Sequence, residues 1–191
     1  MNREFMDKIE RSPVIAAVKD EEGLKKALSS EIEVVFILYG DVCTLPDIVA
    51  RVKQSGRVCM VHLDLIGGLS LREPAVDYVR QKTQADGILT TRTSLVSYAK
   101  SLGLHAILRC FILDSMSLGT LEKVSAKGVS QPDYIEILPG VLEKKVIRKL
   151  NEISRVPIIC GGLISDKDDV IRALEAGATA ISTTRQEIWF M

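Results

Sequence analysis

The segment IICGGLISDKDDVIRALEAGATAISTT (residues 158–184) joins two short apolar runs by a segment of different pattern. Two glycines follow the first run, and hydroxyl side chains end the second. Between the runs, Val170 and Leu174 lie four residues apart and Gly177 ends the pattern. Apolar residues at this spacing predict a helix, and a glycine directly after them is a common helix end. The segment therefore predicts a strand–helix–strand unit with parallel strands.

The same alternation continues along the whole chain. Short runs rich in β-branched residues occur at residues 14–18, 34–38, 58–65, 87–91, 105–112, 133–138, 156–160 and 178–183. Near-continuous apolar strands are typical of a parallel sheet that is buried on both faces. Eight such strands with seven intervening helical segments match the pattern of a (β/α)8 barrel.

We therefore predict an α/β fold, a compact TIM-like (β/α)8 barrel in which residues 1–191 form a single domain. The chain has 191 residues, fewer than the roughly 250 that are typical of this fold. A doubly wound open sheet is the alternative, because alternation of strands and helices does not by itself show that a sheet closes.

Charge and hydropathy limit the classes of partner. Lysine plus arginine (25) equals aspartate plus glutamate (25), so the bulk charge does not indicate nucleic acid or membrane binding. The apolar runs are far shorter than the roughly 20 residues of a membrane-spanning helix. The charged N-terminal segment lacks the apolar core of a secretory signal. We expect a cytoplasmic protein with no membrane partner.

The cysteines and histidines do not form a metal-binding pattern. The four cysteines, none of them in a CxxC pair, are Cys43, Cys59, Cys110 and Cys160. We interpret them as small buried residues with reduced thiols, with disulfides and a zinc site as the alternatives. His62 and His105 lie in predicted strands, and no third ligand has a suitable spacing. We therefore expect core histidines that are satisfied by hydrogen bonds, and no metal.

Polar residues follow the predicted strands at their carboxyl ends, where ligands bind in parallel α/β folds. Side chains alternate along a strand, so Lys19, Asp64, Arg109 and Glu136 each share a face with apolar residues of the same strand. If this face points into the barrel, two cations and two carboxylates meet at its mouth and neutralise each other. The predicted ligand-binding residues are Lys19, Asp64, Arg92, Arg109, Glu136, Gly161, Gly162, Thr183 and Thr184. A layer of structural ion pairs without a ligand is the alternative.

The ends of the last two strands indicate a phosphate site. Gly161 and Gly162 follow one strand, and Thr183 and Thr184 end the next. Glycines let backbone N–H groups approach an anion closely, and barrels often bind phosphate in these two loops. The segment RQEIWF (residues 185–190) predicts a short helix that begins at the same place. We assign the phosphate to backbone N–H groups near Gly162 and Thr184, with ordinary tight turns as the alternative.

Longer motifs occur in a specific order along the chain. They are MVHLDLIGGL, GILTTRTSLVSYAK, LRCFILDSMS, PDYIEILPG and VPIICGGLISDKDDVIRALEAGATAISTT followed by IW. Together they resemble the glycerol-3-phosphate responsive antiterminator family, from about Val14 to Trp189. The resemblance implies a TIM-like barrel that binds glycerol 3-phosphate. It further implies that the protein then acts on the leader mRNA of glycerol-utilisation genes, so that transcription passes a terminator.

The resemblance also marks candidate residues. The positions matched to the family motifs are Asp64, Gly67, Gly68, Thr91, Arg92, Arg109, Glu136, Pro139, Gly140, Gly161, Gly162, Thr183 and Thr184. Position on the predicted barrel assigns the glycerol hydroxyls to Asp64 and Glu136. Arg109 or Lys19 would complement the negative charge of the ligand.

Two functions are compatible with these residues. The first is a regulator without catalytic residues or a cofactor, with glycerol 3-phosphate as effector, leader mRNA as partner and a possible homodimer. The second is a small barrel enzyme for a phosphorylated three-carbon or sugar substrate, with Glu136 or Asp64 as general base and Lys19 as electrophile. The resemblance favours the regulator, and residue spacing shows no nucleophile–base pair or metal cluster.

One basic segment bears on RNA binding. LEKKVIRKLNEISR (residues 142–155) contains Lys144, Lys145, Arg148, Lys149 and Arg155. We interpret it as the solvated face of a helix, with contacts to RNA phosphates as the alternative.

Overall fold

A computed structural model describes residues 4–124 and 131–191. The strands are β1 (Val14–Val18), β2 (Val34–Ile37), β3 (Val58–His62), β4 (Gly87–Thr90), β5 (His105–Phe111), β6 (Tyr134–Leu138), β7 (Ile158–Gly161) and β8 (Ala180–Thr183). The helices are α1 (Glu4–Arg11), α2 (Glu21–Ser29), α3 (Leu45–Gln54), α4 (Glu73–Lys82), α5 (Thr93–Ser101), α6 (Ser115–Val124), α7 (Lys144–Ile153) and α8 (Lys167–Glu175). Two 3-10 turns, Leu63–Leu65 and Gln186–Phe190, follow β3 and β8.

The eight strands form one closed parallel barrel in the order β1 to β8. Each strand pairs with the next along the chain, and β8 returns to β1, where Ile181 pairs with Val14 and Ser182 with Ile15. Helices α2 to α8 each connect two consecutive strands. The predicted (β/α)8 barrel is therefore confirmed, and the open-sheet alternative is wrong.

The predicted and observed strands differ most at the end of β3. The sequence predicts a strand over residues 58–65, whereas β3 ends at His62. The chain then forms a 3-10 turn, in which the N–H of Ile66 donates to the carbonyl of Leu63 at 3.3 Å. Asp64 therefore lies in a turn, and the predicted strand alternation does not extend to it.

Helix caps hold the loops at the carboxyl rim of the barrel. The carboxylate of Asp20, which follows β1, accepts a hydrogen bond from the Gly23 N–H at 2.7 Å. Asp166, which follows β7, accepts one from the Asp169 N–H at 2.9 Å. Each such cap satisfies a first-turn N–H that has no partner within the helix and contributes about 1 kcal/mol. The chain is thus fixed where it leaves these two strands.

Apolar side chains fill the lower part of the barrel interior, and α1 closes its amino end. The buried interior cluster contains Phe5, Ile9, Ile15, Val34, Phe36, Val58, Met60, Leu89, Ile107, Tyr134, Ile159 and Ala180. The ring of Phe5 lies 4.8 Å from the His105 ring and 5.4 Å from the Tyr134 ring, centroid to centroid. Because this end is plugged, the interior is accessible from the carboxyl rim.

The cysteine predictions are confirmed in the strands and wrong in one loop. Cys59 and Cys160 are buried and Cys110 is half-buried, each within a strand. Cys43 is exposed, because it lies in the loop between β2 and α3. All four are free thiols. Residues 4–124 and 131–191 contain no group of three potential metal ligands, and none of their helices is long and apolar enough to cross a membrane.

We predict that Phe5→Ala lowers the free energy of unfolding by about 3 kcal/mol or more, because it removes a buried ring from the closed end of the barrel. Urea denaturation followed by circular dichroism measures this loss. Arg11→Ala is the control in the same helix. Its side chain is 65% exposed and pairs with Glu33, so its loss should stay below about 1 kcal/mol. Equally small losses in both variants would show that α1 is not needed to close the barrel.

Candidate functional site

A cavity of about 700 Å³ opens at the carboxyl ends of the strands. Its lining residues are Ala17, Lys19, Leu38, Arg109, Glu136, Leu138, Gly162, Leu163, Ile164, Ser165, Ser182, Thr183, Thr184, Arg185, Gln186 and Glu187. They come from β1, β5, β6 and β8, from the residues directly after β1 and β2, and from the segments after β7 and β8. The volume is typical of a small-molecule site.

The structure brings most of the predicted ligand-binding residues together. The predicted residues that line the cavity are Lys19, Arg109, Glu136, Gly162, Thr183 and Thr184. Asp64 and Arg92 lie outside the lining, and Gly161 is in β7 next to two lining side chains. Sequence reasoning missed Arg185, although it directly follows the predicted hydroxyl cluster. Direct contact of each residue with a ligand stays a prediction.

Glu136 is the buried centre of a short hydrogen-bond chain. Its side chain is 1% exposed, and its Oε2 accepts a hydrogen bond from Nε of Arg109 at 2.6 Å. Its Oε1 accepts one from the hydroxyl of Ser182. A buried carboxylate is stable only when it is paired and hydrogen-bonded. The predicted neutralisation of a cation by a carboxylate at the barrel mouth is confirmed for this pair.

Gly161 makes room for this chain. A Cβ atom at this position would lie 2.6 Å from Oε1 of Glu136 and 2.6 Å from the hydroxyl oxygen of Ser182. Real Cβ atoms do not approach oxygen so closely, so any side chain here would displace Glu136, Ser182 or both. The first glycine of the diglycine is therefore required by packing.

The cavity carries an excess of positive charge. Glu136 orients the guanidinium of Arg109 through Nε, and the terminal nitrogens of Arg109 form no hydrogen bond within the described ranges. Lys19 and Arg185 line the cavity and form no ion pair with any described residue. Three cations therefore face two carboxylates, Glu136 and Glu187. Such a cavity attracts anions.

The loop after β7 has a strained backbone. Gly162 and Leu163 have φ angles of 74° and 61°. The left-handed conformation costs a non-glycine residue about 1–2 kcal/mol, and such strain is concentrated at ligand sites. Other contacts fix the loop on both sides. The hydroxyl of Thr183 donates to the Ile164 carbonyl at 2.9 Å, and the N–H of Ser165 donates to Asp169 at 2.9 Å.

Asp64 is bound by threonines and not by a cation. Its Oδ1 accepts a hydrogen bond from the Thr90 hydroxyl at 2.7 Å, and its Oδ2 accepts from the N–H and hydroxyl of Thr91. Although burial raises the pKa of Asp64, these hydrogen bonds lower it below its ordinary value. The expectation that Lys19 or Arg109 partners Asp64 is wrong, because Asp64 lies in a turn that reaches the end of β4 and not the barrel axis.

His62 lies in the barrel interior, one level above Glu136 and Ser182. The strands of a barrel are tilted relative to its axis. Residues at the same height along the axis are therefore offset by one position from the paired residue, from each strand to the next. Following the strand register in this way places Ala17, His62, Arg109 and Gly161 at one level, from β1, β3, β5 and β7. Two of these four residues have little or no side chain. The histidine therefore shares its level with the floor of the cavity.

The imidazole of His62 has no protein partner in the described structure. The residue is 2% exposed, and both ring nitrogens are buried without a hydrogen bond. Burial, followed by the positive charge of Arg109, lowers the pKa of His62 to about 4, from an ordinary 6.5. The ring is therefore neutral at pH 7. The expectation of a core histidine satisfied by hydrogen bonds is wrong for His62. Nδ1 of His105 lies 3.4 Å from Asp133 and likewise forms no hydrogen bond with a described residue.

A comparison with protein families assigns the chain. A sequence model described as glycerol-3-phosphate responsive antiterminator matches residues 14–189. The chain belongs to this family. The predicted resemblance is thereby confirmed over nearly the whole length of this antiterminator-family protein.

Relatives and solved structures agree with this assignment. The chain is 40% identical to the protein YgcP of Escherichia coli strain K12 over 181 residues, 95% of this chain and 93% of the relative. The glycerol uptake operon antiterminator regulatory protein of Listeria monocytogenes is 28% identical, with a TM-score of 0.85 over 93% of this chain and 95% of that one. A glycerol uptake operon antiterminator-related protein of Thermotoga maritima is 31% identical, with a TM-score of 0.80 over 93% and 98%. Barrel aldolases at 13% identity show the fold alone.

We predict that His62 makes the protein less stable as the pH falls from 6.5 towards 4. The folded protein holds His62 neutral down to a pKa of about 4, whereas the unfolded chain binds a proton near pH 6.5. Stability therefore falls in this window by up to about 1.4 kcal/mol per pH unit.

Urea unfolding at several pH values, with His62→Phe as the matched variant, measures this dependence. The variant should have a flatter profile between pH 6.5 and 4, because Phe does not titrate. Parallel profiles for the two proteins would contradict the assignment of this pH dependence to His62.

Proposed function

We propose that this antiterminator-family protein binds glycerol 3-phosphate, or a similar small phosphorylated polyol, in the cavity at the barrel mouth. The observation that carries the proposal is the guanidinium of Arg109, oriented by the buried Glu136 and Ser182 and facing a cavity with excess positive charge. A positioned guanidinium pairs well with phosphate oxygens. The names of the family and of its solved members support the choice of glycerol 3-phosphate.

The phosphate is best placed near the loops after β7 and β8. Gly162 and Thr184 line the cavity there, next to Arg185, and barrels often bind phosphate in these two loops. Lys19 lines the same cavity from the end of β1. A dianionic phosphate therefore finds several cations and loop backbone groups within one space.

The hydroxyl end of the ligand has fewer candidate partners. Glu136 lines the cavity, but both of its oxygens already accept hydrogen bonds. Asp64 accepts three hydrogen bonds and lies outside the lining. A carboxylate offers about four acceptor positions, and three of those on Asp64 are already occupied. The assignment of a ligand hydroxyl to Asp64 stays a prediction that this geometry does not favour.

The arrangement favours a regulator over an enzyme. A general base must be available to take a proton, whereas Glu136 is held by Arg109 and by Ser182. Lys19 is exposed at the rim, which does not desolvate its amine as a reactive lysine requires. We propose that ligand binding changes the interaction of the protein with leader mRNA and that the ligand is not converted to a product.

The outer face of α7 is the best candidate for the RNA contact. Lys144 and Lys145 pair with Glu175 and Glu143. Arg148 and Lys149 are exposed on the same helix, and Arg155 follows it. Arg148, Lys149 and Arg155 form no ion pair with another described residue. Unpaired cations on one helix suit the phosphates of RNA.

We predict that Arg109→Met weakens glycerol 3-phosphate binding about tenfold or more, because a charge-assisted hydrogen bond to phosphate is lost. Isothermal titration calorimetry at pH 7 measures the affinity. Arg80→Met is the matched control, since Arg80 is exposed at the end of α4 and lies outside the cavity lining. Unchanged affinity in Arg109→Met would remove Arg109 from the site.

We predict that glycerol 3-phosphate tightens binding to the leader RNA of a glycerol-utilisation gene by about 5-fold or more, the lower range of allosteric coupling. Filter binding or fluorescence anisotropy at constant salt measures both states, because affinity for RNA depends steeply on salt. The double variant Arg148→Ala/Lys149→Ala should weaken RNA binding and leave ligand affinity unchanged. RNA affinity that is indifferent to the ligand would contradict the regulatory proposal.

A further inference from the structure

The side chain of His62 is positioned opposite the proposed phosphate loops. In a barrel of eight strands, β3 and β7 are four strands apart and face each other across the axis. The loops after β7 and β8 line one side of the cavity. His62, at the end of β3, projects inward from the other side, at the level of Ala17 and Gly161. Ala17 and Arg109, which share the level of His62, line the cavity, whereas His62 itself lies just outside the lining.

The level that contains His62 has two small residues, and oxygens of Glu136 and Ser182 occupy the space beside Gly161. Ala17 contributes a methyl group and Gly161 no side chain, while Ala17 and Arg109 both line the cavity. One level below, Glu136 and Ser182 close the interior through their hydrogen bond. The cavity floor thus reaches the level of the imidazole and does not extend past Glu136.

The ring nitrogens of His62 lack the partners that buried polar atoms usually have. Both are buried, and neither forms a hydrogen bond with another described residue. An unsatisfied buried polar group costs about 1–3 kcal/mol, and most such groups in folded proteins are paired. A phenylalanine would fill a similar space without this penalty. The nitrogens are therefore explained best by a partner from outside the chain.

We propose that His62 recognises a hydroxyl group of the bound polyol phosphate and makes the site selective for glycerol 3-phosphate over free phosphate. This inference rests on the proposed function and names the residue that reads the other end of the ligand. A neutral imidazole has one N–H donor and one acceptor nitrogen, which match the donor and acceptor of a hydroxyl.

The charge of the surroundings supports a hydroxyl and not the phosphate as the partner. The group that faces His62 from β5 is the guanidinium of Arg109. Asp64 follows His62 in the chain and lies on the same side of the barrel as His62. A second cation beside Arg109 is unfavourable, so His62 stays neutral. The phosphate is served better by Arg109, Lys19 and Arg185, whereas His62 is left for an uncharged group.

Calorimetry with two probes, glycerol 3-phosphate and inorganic phosphate, tests the inference on the full chain at pH 7. The wild-type protein should bind glycerol 3-phosphate more tightly than phosphate. His62→Phe should weaken glycerol 3-phosphate binding about tenfold, the effect of one lost hydrogen bond at the upper end of the usual range, and leave phosphate binding unchanged. His62→Gln, which keeps a donor and an acceptor, should retain part of the selectivity.

The outcomes separate this inference from the proposed function. If the wild-type protein binds neither probe, the proposed function fails and the inference fails with it. If it binds glycerol 3-phosphate and His62→Phe binds it equally well, the inference is overturned and the proposed function stands. An equal loss for both probes in His62→Phe also overturns it, because the residue then supports the structure of the site and not selectivity.

Thermal unfolding of each variant checks its fold. If His62→Phe does not fold, His62→Leu and His62→Gln give the same comparison between an apolar and a polar side chain. The sole tryptophan, Trp189, provides a second signal. Its indole N–H donates to the carbonyl of Thr183, a cavity-lining residue, at 3.0 Å, so fluorescence should follow binding of either probe.

Discussion

The pairing of β8 with β1 closes the sheet, and the candidate site depends on this closure. A closed parallel barrel brings the carboxyl ends of all its strands to one rim. Residues far apart in the sequence, such as Lys19 and Thr184, therefore line one cavity. In an open sheet, β1 and the last strand need not meet, and this wall of the cavity would be lost. Closure also arranges the interior in levels of four side chains from alternate strands.

The interior changes character along the barrel axis, and this change makes one end the candidate binding site. At the amino end, Phe5 packs against aromatic side chains and excludes water. At the carboxyl end, Glu136 brings a negative charge into a nearly closed space and requires Arg109 and Ser182 as partners. Burial of a charge is unfavourable unless its partners are well placed. A polar level so close to the mouth holds Arg109 at the wall of the cavity.

The fold could be predicted from the sequence because its signals are local. Runs of β-branched residues mark the strands, and apolar residues at helical spacing, such as Val170 and Leu174, mark the helices between them. The carboxyl-end rule for parallel strands then selected site residues, most of which line the cavity. The end of β3 could not be predicted, because Asp64 leaves the strand to bond Thr90 and Thr91, which are distant in sequence. A periodic pattern carries no information about such long-range hydrogen bonds.

The state of His62 was beyond prediction for a related reason. Whether a buried imidazole finds a partner depends on side chains contributed by other strands, and here Ala17 and Gly161 contribute almost nothing at its level. The lower interior shows that this barrel packs well with apolar residues alone. An unpaired polar ring next to the cavity floor therefore reduces stability without improving packing. Proteins accept such losses mainly where a site requires them, and this is the physical reason for proposing that His62 serves the site.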